Sequence, residues 1–404
     1  MSEGYRRILS LDGGGTWALV QARTLVDLFP DAATGHDVLR RFDLVVANSG
    51  GSVVTGGLAA NLPLDQIIRL FESQSARQEV FQALFPEWLR HALPLPRYST
   101  QGAREGLAKH LGEEGDRRLV DWERERGNGV GAPLAHLLFV GFDYDLLRAV
   151  FFRTDTKSCA ASQPLSLPAG ATLLDAVHAS ANAPVVYFDA PTQVSDPGRR
   201  ARRYWDGGVA GYNNPCLAGM VEALANGSRR EDIRVLSIGT GTIRRPLRPE
   251  NAAPHDSRYA GGDEPSLVGD LRKLAGAIVD DPPDAASFIT HVALGGRLPD
   301  SPADTVRDGP LVRMNPVLRP ELDSNGEWQW NVPKEFTQEQ WERLLALDMD
   351  AVADDDVALI RAMCEAWHRG SVPNQPIRAG AGMRAEVGHD AYREAKEAIH
   401  RWAW

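Results

Sequence analysis

Three short stretches carry residues whose types and spacing suit attack on a carbonyl. In "LSLDGGGTWALV" an apolar run, Ile8 to Leu11, meets Asp12 and three glycines before a helical pattern from Trp17 to Phe29. The backbone amides of Gly13, Gly14 and Gly15 in such a turn can point at an anion, either a phosphate or a developing oxyanion. In "VVANSGGSVV" (Val45 to Val54), Ser49 stands between an apolar run and a pattern of small residues. A nucleophilic serine gains from a sharp strand-to-helix turn that exposes its Oγ, and that turn needs small residues two before and two after it. Ala47 and Gly51 hold those places, so the usual G-x-S-x-G is met except for one methyl group. In "YWDGGVAGYNNP", Asp206 precedes Gly207 and Gly208, which leaves a carboxylate at a chain reversal. An Asp there is commonly a turn-former; its weight comes from standing third in this order.

The first stretch has a second reading. "DGGGT" resembles the phosphate-binding turn of actin-like sugar kinases, with "SIGTGT" (Ser237 to Thr242) as a further nucleotide contact. That reading implies phosphoryl transfer with magnesium. It predicts no elbow at Ser49 and gives Asp206 no part.

The elements that must hold these residues follow a strand, turn, helix order. Ile8 to Leu11 and "FDLVV" (Phe42 to Val46) are buried-strand candidates, each followed by a glycine-rich turn and a helix. Two such units in the first sixty residues favour an α/β fold with parallel strands. Further strand candidates are "HLLFVGFDY" (His136 to Tyr144), "AVFFRT" (Ala149 to Thr154) and "IRVLSIG" (Ile233 to Gly239). Residues 62–135 read as mostly helical, "TLLDAVHASA" as a helix, and helical pattern returns from Thr337 to Arg369 and near the end. No composition break cuts the chain; a catalytic domain over 1–330 with a helical extension over 331–404 packed on it is expected.

Taken together, the stretches resemble the patatin-like phospholipases. Asp12 to Ala18 matches that family's D-G-G-G-x-R-G block, Ala47 to Gly51 its G-x-S-x-G block, and Asp206 to Gly208 with Asn213 to Pro215 its D-G-G/A block running on to "NNP". "HASANAPVVYFDAP" (His178 to Pro191), "LSIGTG" and "LVRMNP" (Leu311 to Pro316) are similar to further family landmarks, so the resemblance spans roughly residues 6–320. It implies a three-layer α/β sandwich with a mainly parallel central sheet flanked by helices. It implies Ser49 as nucleophile, Asp206 as its base in a Ser-Asp dyad, and Gly13, Gly14 and Gly15 as the oxyanion hole, with no metal and no cofactor. The implied reaction is hydrolysis of a phospholipid ester through an acyl-enzyme at a membrane surface. Bacterial relatives include effectors switched on by a partner protein or signal nucleotide, so an unidentified activator enters with the resemblance, and an oligomer stays open. A patatin-fold protein with altered chemistry is a further alternative, because Trp17 and Ala18 replace the family's Arg and Gly, and Ser52 replaces a Gly.

Composition narrows the field. With 44 Lys and Arg against 54 Asp and Glu, the formal charge is −10, which disfavours a nucleic-acid substrate needing a basic stripe. Cys159, Cys216 and Cys364 show no metal-ligand spacing and read as reduced, which suits the cytoplasm. The N-terminus enters a strand-like run without a signal-peptide h-region, and no apolar stretch approaches a membrane span. Contact with a membrane is therefore expected to be peripheral. Arg199, Arg200, Arg202 and Arg203 suit a solvated turn better than a lipid-phosphate patch. Asp354 to Asp356 suit a helix start better than a metal site. Arg244 to Asp263 is an irregular surface loop, with a lid over the acyl channel as the bolder alternative, and the tail "AYREAKEAIHRWAW" is expected to dock as a helix on the parent domain.

Overall fold

The apolar runs of the first fifty residues become neighbouring parallel strands in the computed structural model, which describes residues 4–86, 95–127, 132–157, 170–195, 200–249, 256–261, 282–301, 304, 306–377 and 386–402. β1 (Arg7–Leu11) pairs with β2 (Leu44–Ala47), Ile8 opposite Leu44 and Leu11 opposite Ala47. β2 starts later than its apolar run because the Asp43 carboxylate accepts from the amides of Arg6 and Arg7 at 2.9 and 2.8 Å, which holds it in a turn. On the other side of β1 lies β7 (Arg234–Ile238), then β9 (Leu311–Met314), both parallel. The two short strands β8 (Thr242–Ile243) and β10 (Val317–Leu318) pair beyond their ends.

Beyond β2 the sheet turns mixed. β3 (His136–Asp143) runs parallel to β2, while β4 (Arg148–Arg153), β5 (Thr192–Val194) and β6 (Arg202–Asp206) enter antiparallel, giving the order β5-β6-β3-β2-β1-β7-β9 with β4 also on β3. One detail of register matters for the chemistry. β4 pairs Leu138 to Asp143 along one edge of β3, so β2 and β6 must share the other edge. Ala47 lies opposite Phe139, and Asp206 lies opposite Gly141, two residues further on. β3 thus aligns the end of the serine strand with the end of the aspartate strand.

Strand alternation sends side chains to two faces. Leu9, Leu11, Val45, Ala47, Leu137 and Phe139 enter one core, and Ile8, Leu44, Val46, Leu138 and Val140 another. Helices cover both, as a three-layer sandwich requires. On the first face lie α1 (Leu19–Leu28), α2 (Ser49–Ala59), α3 (Leu64–Glu72), α5 (Thr100–Leu111) and α6 (Leu173–Ala181), with α4 (Gln74–Val80) joining α3 to the cleft wall described below. On the second lie α7 (Cys216–Ala225) and α8 (Pro282–Ala293).

The helical pattern from Thr337 to Arg369 is two helices, α9 (Gln338–Ala346) and α10 (Asp354–Arg369), separated by an irregular stretch at 347–353 with a turn at Met349 and Asp350. With α11 (Tyr392–His400) they bury Leu344, Ile360, Trp367 and Ile399 in the core of the first face. α11 is tied to α1 where Tyr392 donates to Asp27 at 2.5 Å and Lys396 to the same carboxylate at 2.8 Å. Trp404, Cys159 and Arg199 lie outside the described residues. No described helix is long and apolar enough to cross a membrane.

Candidate active site

β2 delivers the chain into α2 through an elbow. Asn48 is extended, and Ser49, the first residue of α2, has φ of 51°. A non-glycine residue in the left-handed region is uncommon and tends to mark a strained functional turn. Gly51 is required beside it, because a Cβ there would stand 2.5 Å from the carbonyl oxygen of Leu11. Ala47 points into the core, fully buried, so its methyl group is accommodated two residues before the serine. The Ser49 amide donates to Ser180 Oγ at 3.2 Å, and Ser52 donates to the same Oγ at 2.8 Å. Ser52, a departure from the family letters, therefore orients the hydroxyl that holds the elbow.

Asp206 ends β6 and is buried to 5% exposure. Its carboxylate accepts from the Gly208 amide at 2.7 Å and from Asn48 Nδ2 at 3.0 Å, and the Ser49 hydroxyl is close enough to pull its pKa down. Burial raises its pKa above the ordinary carboxylate value, against the opposing pull of the Ser49, Gly208 and Asn48 hydrogen bonds. Serine, acid and the tight turn of Gly207 and Gly208 are thus brought together from elements 157 residues apart in the chain. A carboxylate whose pKa is raised is a better proton acceptor than an ordinary one. No histidine hydrogen-bonds Ser49 among the described residues.

The glycine turn follows β1 directly below the elbow. Gly13 departs from its expected part: its N–H donates to the Asn213 carbonyl at 2.8 Å and is already engaged. The Gly14 and Gly15 amides make no hydrogen bond within the described residues. Asp12 anchors the turn from beneath through a buried ion pair with Arg313 at 2.5 Å, and Arg313 also donates to Ser237 at 2.8 Å. Burial pushes the Asp12 carboxyl up to about 6, although Arg313 pulls it down. The "SIGTGT" turn is packed onto the same glycines: Thr240 donates to the Gly13 carbonyl at 2.8 Å, and a Cβ on Gly14 would lie 2.2 Å from Thr240 Oγ1. Thr240 thus ties the second turn to the first as a packing contact, where the kinase reading expects a nucleotide. Trp17 is core: it is buried, and its indole N–H donates to the Asp348 carbonyl at 3.2 Å.

Ser49, Gly50, Gly15 and Thr16 open into a cleft walled by apolar side chains, among them Val53, Leu70, Phe71, Leu107, Phe188 and Met349. Arg77 and His178 bring no unpaired charge to this wall. Arg77 donates to the Phe71 carbonyl, the Val352 carbonyl and Asp354, and burial pushes the His178 imidazole down to about 3, so it is neutral. Met349 arrives from the stretch between α9 and α10. Its carbonyl accepts from the Thr16 amide at 2.9 Å, and its neighbours are held by Arg97 at 3.1 Å from Asp348 and 2.8 Å from Asp350. Asn48, Ser180, Arg313 and Met349 were not singled out in the sequence as site residues. Asn48 has a signal as the neighbour of the serine, and Ser180 and Arg313 stand inside the "HASANAPVVYFDAP" and "LVRMNP" stretches; Met349 has none.

Other expectations resolve away from the site. Arg202 and Arg203 lie in strand β6 and not in the expected solvated turn: Arg202 pairs with the buried Asp143 and Arg203 with Asp145. Asp354 to Asp356 form the first turn of α10 and pair with Arg77 and Arg343. The described part of the 244–263 loop docks on α9, Arg245 donating to the Leu345 carbonyl, and lines no part of the cleft. Glu123, His136 and Asp155 offer ligand atoms within 4.8 Å of one another, but at the end of β3 far from Ser49. Tyr5 already donates to Asp155 there, and Arg126 pairs with Glu123.

Comparison with known proteins agrees with this geometry. The Patatin family model, described as patatin-like phospholipase, matches residues 9–220. A cGAMP-activated phospholipase from Pseudomonas aeruginosa is 30% identical over 242 residues, covering 58% of this chain and 62% of that protein. A cUMP-AMP-activated phospholipase from Escherichia coli is 25% identical over 242 residues, covering 59% of this chain and 66% of that protein. The alignments therefore span a little under two thirds of each relative's length. Among solved structures, VipD from Legionella pneumophila aligns over 90% of this chain and 67% of its own, at 11% identity and a TM-score of 0.34, a likeness on which nothing below depends.

Proposed function

The chain belongs to the patatin-like phospholipase family, and on that premise we propose that it is a serine lipid acyl hydrolase of the phospholipase A type. The observation that carries the reading is Ser49 at φ 51° on an elbow whose Asn48 grips the buried Asp206 carboxylate, beside two uncommitted amides at the end of an apolar cleft. An acyl chain lies in the cleft with its ester carbonyl over Ser49. Asp206 takes the proton as Oγ bonds to the carbonyl carbon, and the Gly14 and Gly15 amides receive the oxyanion. Collapse expels the alcohol, which leaves with the proton from Asp206. Asp206 then takes a proton from water, the hydroxide attacks the acyl-enzyme, and the fatty acid departs as the proton returns to Ser49. A carboxylate is a weaker base than imidazole, so the dry cleft and the oxyanion donors must supply more of the rate.

Residues 1–330 act as the catalytic domain, and 331–404 as a packed extension that completes the cleft through Met349. The substrate is a membrane phospholipid met from the cytoplasm by peripheral contact. The names of the two relatives support a cyclic dinucleotide as the class of activator for this chain too. The test is release of fatty acid from phosphatidylcholine vesicles, with and without a panel of cyclic dinucleotides. Wild type should release it and Ser49→Ala should not. Equal release by both would remove Ser49 from the reaction.

A further inference from the structure

We propose that the rim of the cleft is a ledge that docks on the acyl region of a bilayer, with Val185 at its tip. The inference rests on the lipid-hydrolase reading above and says where that enzyme meets its substrate. Three irregular segments form the rim: 81–86, 95–98 and the turn at 184–188. They are stitched together where the Leu84 amide donates to the Arg97 carbonyl at 3.0 Å, the Arg97 amide to the Val186 carbonyl at 3.1 Å, and the Tyr98 amide to the Tyr187 carbonyl at 2.8 Å. Arg97 is the sole charged residue in these segments. Its guanidinium is turned to Asp348 and Asp350 and lies 5.5 Å from the Tyr187 ring centre. Among the described residues of these segments, therefore, no free cation stands to seek an anionic headgroup.

The apolar surface of the ledge is continuous with the cleft. Phe81, Tyr187 and Phe188 line the cleft on the inner side, while their neighbours Leu84 and Phe85 are half exposed and Val185 is 66% exposed. Val185 also has φ of 71°. A β-branched residue is a true outlier in that region, where glycine would be the unstrained occupant. An apolar side chain is thus presented to the outside at a conformational cost, beside Tyr187 and Phe188 of the cleft wall. A lipid leaving the bilayer over this ledge would slide from one apolar surface to another without its chain meeting water. Apolar surface at the lip of a ligand groove marks an interaction site, and the acyl boundary of a bilayer matches an uncharged surface better than a headgroup layer does.

The experiment is co-sedimentation of the full chain with vesicles of pure phosphatidylcholine and of phosphatidylcholine mixed with phosphatidylserine, at low and high salt. It compares wild type, Val185→Asp and Val185→Gly, and turnover of a soluble short-chain ester is measured in parallel. Wild type should bind both vesicles alike and keep binding at high salt, where headgroup attraction would be screened. Val185→Asp should lower binding on the order of tenfold while ester turnover is unchanged. Val185→Gly relieves the backbone and decides the matter should the Asp variant fold poorly: reduced binding supports the ledge, and retained binding overturns it. Absence of vesicle binding by wild type, or binding that salt abolishes, also overturns it, as does a variant that changes the oligomeric state but not vesicle binding. Vesicle binding as expected with no ester or lipid turnover would overturn the hydrolase reading and leave the ledge standing.

Discussion

Asn48 Nδ2 lies 3.0 Å from Oδ1 of Asp206, and the next residue in the chain, Ser49, sets its hydroxyl beside the same carboxylate. The elbow therefore presents two side chains to its acid. Both favour the ionised acid, and burial opposes them. Replacing Asn48 with Ala removes one donor, so the Asp206 pKa should move further up. The base must be ionised to act, so the acid limb of the kcat/KM profile should shift to higher pH, with kcat lowered about tenfold at neutral pH. A profile superimposable on that of wild type would show that Asn48 only fills space.

Asp206 should also cost stability at the pH where it works. Its folded pKa lies above its unfolded one, so the folded state binds the proton more tightly. The penalty is absent below the unfolded pKa and grows as pH rises through the folded one. Asp206→Asn cannot ionise and should be more stable than wild type at neutral pH by on the order of 1 kcal/mol. The gain should vanish on acidification and come with loss of turnover. Urea unfolding at several pH values measures it; an Asn variant less stable than wild type at neutral pH would contradict the assignment.

The ion pair of Asp12 and Arg313 fixes the floor of the glycine turn, with both side chains at or below 5% exposure. Asp12→Ala would leave the guanidinium buried beside Ser237 with no counter-charge. The expected loss of stability is about 3–5 kcal/mol. A second replacement, Arg313→Met, should recover part of it in a double-mutant cycle. A single-variant loss under 1 kcal/mol would mean that the pair behaves like one on the surface.

Met349 sets the roof of the cleft at the glycine end, held by Thr16 and, through its neighbours, by Arg97. Met349→Trp should shift preference in a series of soluble esters toward shorter acyl chains, mainly through KM, and Met349→Ala toward longer ones. An unchanged preference in both variants would place the acyl chain elsewhere.

Much of this was legible in the residues, because local chemistry specifies it. "DGGG" after an apolar run, Ser49 between a strand and small residues, and Asp206 before two glycines each name their own turn. What the sequence does not carry is pairing over long distance. That β3 aligns Ala47 and Asp206 on one edge follows from register, not from either motif. Arg313 finds Asp12 across 301 positions, and the Asn213 carbonyl takes the Gly13 amide, which no count of glycines reveals. The pattern from Thr337 to Arg369 kept a helical period across residues 347–353, and so hid the break that brings Met349 to the cleft.

The central claim is that Ser49 is activated by Asp206. Exposing the full chain to a fluorescent phosphonate that labels active serines tests it most directly, with wild type, Ser49→Ala and Asp206→Ala compared in the presence and absence of cyclic dinucleotides. The account predicts labelling of wild type, none of Ser49→Ala, and a loss of about a hundredfold or more in labelling rate for Asp206→Ala. Labelling of Ser49→Ala equal to wild type, or of Asp206→Ala at the wild-type rate, would contradict it.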